Sequence, residues 1–287
     1  MKTLKTMVTA GFTLAALLLS SASMADHAWG NYHWERSSNP ISLPLGDNLD
    51  GLWPDGGYLG TASADWNASA VVNTEVVAGS ASARRCKAAS GTVEVCNLTY
   101  GNNGWLGIAS ITVSGDHITS AYVKLNDTYF NNPPYNTDAW RQLVVCQEVG
   151  HTFGLGHQDE NFSNGNLGTC MDYTNDPDGT ANNQPDNQHP DQDDYDHLEP
   201  IYEHLDSGGG GDGGGDGGGG CNPRSPKCNP ATAGDIVSTI DVNGPAQWGR
   251  LVSGHGPQEV YELDFGGGRK VITFVTWTLE RAGNHRH

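Results

Sequence analysis

Cations are scarce in this chain. Fifteen lysines and arginines stand against 33 aspartates and glutamates, for a formal charge of −18. So acidic a surface repels polyanions, which argues against nucleic acid and anionic lipid as partners. Long apolar runs are missing too. Beyond the first 25 residues nothing approaches the roughly 20 apolar positions that a helix needs to cross a bilayer, so membrane insertion is not expected. Cysteine is sparse but even: six residues fall as sequence neighbours, Cys86 with Cys96, Cys146 with Cys170, and Cys221 with Cys228. Six cysteines admit many connectivities, and pairing of neighbours is the expected one.

What is present begins with an export signal. Lys2 and Lys5 precede an apolar stretch over 12–19, and Ser23-Met24-Ala25 offers a small-residue cleavage site. Residues 1–25 therefore read as a signal peptide, and the protein as secreted, to the periplasm or the extracellular space. Such a compartment is oxidising and suits disulfides.

One boundary stands out. Residues 208–220 comprise eleven glycines and two aspartates, a composition that cannot bury a core and spans roughly 20 Å as a flexible coil. The chain is expected to divide into a main domain over 26–206, a linker over 207–220 and a small β-rich module over 221–287. In the main domain, β-branched and alternating segments predict strands near 41–45, 70–77, 92–97, 105–113 and 118–125, with a short helix over 61–66. Thr137-Asp138 caps a helix running from 139 to about 153, where Gly154 stops it. Pro190-Asp191 opens an acidic helix towards 205, kinked at Pro200. In the C-terminal module Tyr261, Leu263 and Phe265 alternate with acidic residues, 266–268 turn, and 271–277 return as a hairpin. The expected fold class is α/β, of the α+β type.

The chemistry concentrates in Cys146-Gln147-Glu148-Val149-Gly150-His151-Thr152-Phe153-Gly154-Leu155-Gly156-His157. Residues 147 and 151 lie one helical turn apart and share a face, so they can hold one ion between them. Glu148 beside them can take a proton from a metal-bound water. After the turn at Gly154, His157 can approach the same ion. Three protein ligands and a water make a catalytic zinc site.

With Cys170-Met171-Asp172-Tyr173 downstream, these residues resemble the metzincin zinc metallopeptidases. Every position of their long signature is filled except the first histidine, which is Gln147. The resemblance covers about 30–205 and does not reach the C-terminal module. It implies a twisted mixed sheet with an active-site helix and a C-terminal helix, a zinc ion held by Gln147, His151 and His157, and Glu148 as general base. It also implies a methionine turn at Met171 beneath the site. The Met-x-Tyr form is that of astacin-like and serralysin-like enzymes, in which Tyr173 would bind the zinc and then stabilise the oxyanion; otherwise it packs under the turn. The short domain is more matrixin-like, and puts residues 104–109 in the place of an edge strand that a peptide substrate joins. The substrate would be a protein or peptide, and the enzyme a monomer.

Three departures matter. His117 is the sole histidine between His33 and His151, so the histidine-rich structural zinc segment of matrixins has no counterpart and a second zinc is not expected. An ordinary propeptide is not expected, since the stretch between the expected cleavage site and Gln147 is needed for the strands of the main domain. An amide oxygen at Gln147 is a poorer zinc ligand than histidine; Tyr173, Asp159, a Cys146–Cys170 disulfide or, as a substitute ligand, His189 could compensate. The alternative is a protease-like fold that has lost catalysis and serves as a binding module. Calcium has weak support: the acidic run over 176–179 fails EF-hand spacing and reads as a solvated loop. His197 and His204 read as surface residues.

Overall fold

Residues 28–159, 164–206, 244–254 and 258–284 are described by the computed structural model of the chain. The expected signal peptide, the glycine-rich linker, and Cys221 and Cys228 lie outside the described residues.

Alternation of apolar and polar side chains lays down the first strands. After the two-residue β1 (His33–Trp34), β2 (Ile41–Asn48) buries Ile41, Leu43 and Leu45. Helix α1 (Tyr58–Trp66) then crosses over to β3 (Val72–Ala78), which pairs parallel with β2. β4 (Val93–Leu98) runs parallel to β2 on one side and to β6 (His117–Asn126) on the other. β5 (Trp105–Ser114) is antiparallel to β6 through a tight turn. One helical turn, α2 (Asp127–Phe130), leads to α3 (Asp138–His151), and α4 (Gln192–Ile201) ends this part with Pro200 in its last turn. Beyond the linker come β7 (Arg250–Ser253), β8 (Gln258–Asp264), β9 (Arg269–Trp277) and α5 (Leu279–Asn284).

These strands form one mixed sheet in the order β3-β2-β4-β6-β5-β9-β8-β7, with β1 beside the start of β6. The C-terminal strands make no sheet of their own. β9 pairs antiparallel along β5, from Trp105 opposite Trp277 to Ser114 opposite Arg269. Strand β5, expected as an open edge, is therefore interior. The cause lies in its composition: all but its last position are buried, and a strand apolar on both faces is not left with an unpaired edge.

Helix α3 lies against α1 and the sheet, burying Val144, Val145 and Val149 among Leu106, Ala109 and Val123. From Trp140 to His151 all its residues are buried, so burial rather than amphipathic patterning fixes it. Disulfides join Cys86 to Cys96 and Cys146 to Cys170. Among the described residues no helix is long and apolar enough to cross a membrane.

Candidate metal centre

The site is built on the end of α3. Thr137 caps the helix, its side chain accepting the Trp140 N–H. Gln147 and His151 fall one turn apart near the other end, both buried. The chain then turns at Gly154, whose φ is +96° and where a Cβ would lie 2.2 Å from the Tyr32 carbonyl oxygen. Only glycine is free of both the strain and the collision. The turn returns His157 to His151, their ring centroids 4.5 Å apart and their planes nearly perpendicular.

The tautomer of His151 follows from its neighbour. Its Nδ1 lies 2.9 Å from the Leu155 carbonyl oxygen, which can only accept, so Nδ1 carries the hydrogen and Nε2 the lone pair. A carbonyl holding the other ring nitrogen is the usual outer support of a metal-ligating histidine.

Glu148 is fully buried, and burial raises its pKa to about 8 against the opposing hydrogen bonds from Thr276 and the Ala109 backbone. Thr276 Oγ1 donates to Glu148 Oε1 at 2.7 Å, while Oε2 has no hydrogen-bond partner among the described residues. Gln147 Oε1 accepts from Gln258 Nε2 at 2.8 Å and from Thr276 Oγ1 at 3.1 Å. The single Thr276 hydroxyl hydrogen is shared between this oxygen and Glu148 Oε1, so Gln258 is the steady donor to Gln147. Phe274 stacks on His151, with centroids 4.3 Å apart and planes 6° from parallel. Three side chains of the C-terminal hairpin thus cover Gln147, Glu148 and His151.

No protein-family model and no curated protein matches this chain. The assignment of its chemistry therefore rests on the residues themselves.

Beneath the helix lies Met171, buried, its Sδ 2.7 Å from where a Cβ on Gly150 would stand. The Cys146–Cys170 disulfide joins α3 to this turn, and the Gln158 N–H donates to the Met171 carbonyl at 2.8 Å. Tyr173 is buried with its ring 5.2 Å from that of His157. Asp172 Oδ2 accepts from the Leu167 N–H and Asn187 Nδ2, each at 2.9 Å, which holds the segment in shape.

Of the residues singled out in the sequence, Glu148, His151, His157, Met171 and Tyr173 gather at the end of α3. Gln147 is there as well, with its oxygen turned to the hairpin. His189 is elsewhere engaged, 2.7 Å from Asp65 Oδ2, and His197 lies against Asp193. Among the described residues no third histidine, cysteine or carboxylate joins His151 and His157 to form a metal-binding group. The acidic segment near 176–179 is a turn that uses its own carboxylates: Asp176 accepts the Ala181 N–H, and Asp178 accepts that of Thr180 at 3.1 Å.

Gln258, Phe274 and Thr276 escaped the sequence reading. They lie more than a hundred residues from their partners, and nothing in their spacing signals contact with α3. The one available hint was chemical, a polar threonine between the buried apolar Val275 and Trp277.

Proposed function

We propose that the chain is a secreted zinc-dependent endopeptidase of the metzincin type, kept closed by its own C-terminal hairpin. The observation that carries the reading is the buried Glu148 next to two histidines whose rings meet at 4.5 Å. The methionine turn tied by disulfide under the same helix supports it.

The donor set fits zinc. His151 presents an Nε2 lone pair, His157 stands against it, and the unpartnered Glu148 Oε2 marks a polar requirement that the described side chains leave unmet. Gln147 would be the third ligand once its oxygen is released from Gln258 and Thr276. When bound, zinc lowers the pKa of a coordinated water towards about 7 and polarises a scissile carbonyl.

The remaining steps belong to the protein. Glu148 would take a proton from the water as the water oxygen bonds to the scissile carbonyl carbon, and give it to the amine as the C–N bond breaks; burial brings its pKa near neutrality, where both transfers are accessible. Tyr173, next to His157, donates a hydrogen bond to the substrate oxygen as it gains charge. β5 offers its backbone to an extended peptide. In the closed state β9 takes that place, and Thr276 and Gln258 take the oxygen of Gln147.

The same two contacts favour a second reading, a non-catalytic binding module in which Gln147 is permanently a partner of the hairpin. Cleaving the mature protein within 207–220 and assaying casein hydrolysis with and without a chelator separates the two. The proposal expects chelator-sensitive hydrolysis that rises after the cut and after displacement of the hairpin. Folded, cut protein with the hairpin displaced and no such hydrolysis would establish the binding module instead.

A further inference from the structure

Four side chains from distant parts of the chain meet away from α3, where β1, the start of β6 and the end of the main domain converge. Parallel pairing sets His33 opposite His117, with ring centroids 4.9 Å apart. Asp206 is fixed beside them by Arg36. The Asp206 N–H donates to the Arg36 carbonyl, and the Arg36 N–H donates to Asp206 Oδ2, each at 2.9 Å. Its other oxygen, Oδ1, faces the rings, 3.1 Å from His117 Nε2 and 3.4 Å from His33 Nε2. His204 closes the cluster, its Nε2 3.2 Å from His33 Nε2 and 3.5 Å from Asp206 Oδ1. Among the described residues, His33, His117 and Asp206 are the one group of three whose ligand atoms all lie within 4.8 Å of one another.

Two features point to a cation at the centre. The first is a mismatch of acceptors. His33 Nδ1 is 2.7 Å from the Asn31 carbonyl oxygen, so Nδ1 carries the hydrogen and a neutral ring presents its lone pair at Nε2. That lone pair faces the Asp206 carboxylate, which also can only accept. A second proton on His33, an N–H donated to that lone pair by His204 Nε2 at 3.2 Å, or a metal ion between His33 and Asp206 resolves the conflict, and the metal alone also draws in His117. The second feature is spacing. Ligands at about 2.0–2.1 Å around a tetrahedral zinc stand about 3.3–3.4 Å from one another. Asp206 Oδ1 stands 3.1 Å from His117 Nε2 and 3.4 Å from His33 Nε2, which brackets that value, and the ligand atoms of the three residues all lie within 4.8 Å of one another.

We propose that His33, His117 and Asp206 form a second, structural zinc site, with His204 beside them as the ligand that completes it when its ring turns in. With His204 turned in, three imidazoles and a carboxylate would make a closed four-ligand set, and the Asn31 carbonyl supplies outer support to His33. The Arg36 guanidinium, 3.9 Å from Asp206 Oδ2, lies at the carboxylate oxygen turned away from the rings. A metal here ties the last residues before the glycine-rich linker to β1 and β6. This reverses the expectation of a single zinc, which rested on the lack of histidines between His33 and His151. Two of the four ligands come from beyond that span.

The test uses the full mature chain, stripped of metal and titrated with Zn²⁺ alone at neutral pH. His117 and His204 have side chains 40 % and 53 % exposed, so either can be truncated with little disturbance of the core. His117→Ala and His204→Ala should each lower tight zinc binding by one equivalent per chain and remove the zinc-dependent rise in melting temperature. His151→Ala should leave that equivalent in place, which separates this site from the one at α3. Equal stoichiometry and equal thermal response in wild type and both variants would overturn the proposal and leave a protonated His33 or the His204 hydrogen bond as the explanation of the cluster.

Discussion

At the scale of single residues, Glu148 couples stability to pH. Its pKa rises from 4.5 to about 8 because the charged carboxylate is desolvated. A raised carboxyl pKa contributes stability that is complete below the unfolded value and is lost as pH climbs through the folded one. Metal-free protein should therefore lose stability between about pH 4.5 and 8, by up to about 4 kcal/mol relative to Glu148→Gln, whose amide does not titrate. Denaturant unfolding of both proteins across that range checks it, and parallel curves would contradict the burial argument. Gly150 is fixed by packing: a Cβ would come 2.6 Å from Trp66 Cζ2 and 2.7 Å from Met171 Sδ. Gly150→Ala should cost about 1–3 kcal/mol despite alanine's better helix propensity, because the core under α3 must yield. Thermal melting measures it.

At the scale of elements, the contact between β9 and α3 is the one that would decide access under the proposed function. Thr276 has one hydroxyl hydrogen and two acceptors, Gln147 Oε1 and Glu148 Oε1. Thr276→Val keeps the shape and removes that donor, so Gln147 keeps Gln258 alone. The variant should bind zinc about tenfold more tightly at the α3 site, by calorimetry in the His117→Ala background; unchanged affinity would mean that the hydroxyl does not restrain Gln147. Most elements were legible in the sequence. Alternation marked β2 to β6 and the β8–β9 hairpin, and Thr137 with Gly154 bracketed α3, because these signals are local. β1, α2, β7 and α5 were not read; they span two to six residues, too few for a period to show. The place of β9 was illegible for another reason. Strand pairing across the linker depends on two apolar surfaces meeting, and neither records its partner in sequence.

At the scale of the whole molecule, one chain carries a candidate catalytic centre, the hairpin that covers it and a cluster in which Asp206, after α4, meets His33 of β1 and His117 of β6. His151, His157 and Glu148 could be read because one helix and one turn hold them at fixed offsets. His33, His117 and Asp206 could not, since only the parallel pairing of β1 with β6 and the return of the chain after α4 bring them together. The central claim is that Glu148 acts as the base on a zinc ion held at the end of α3. The most direct test is the peptide-cleavage rate of zinc-loaded Glu148→Gln, cut within 207–220 with the hairpin displaced, against wild type treated identically. Loss of at least about 10²-fold in rate, with zinc content unchanged, is the predicted result. Cleavage at the wild-type rate by the zinc-loaded variant would contradict the account.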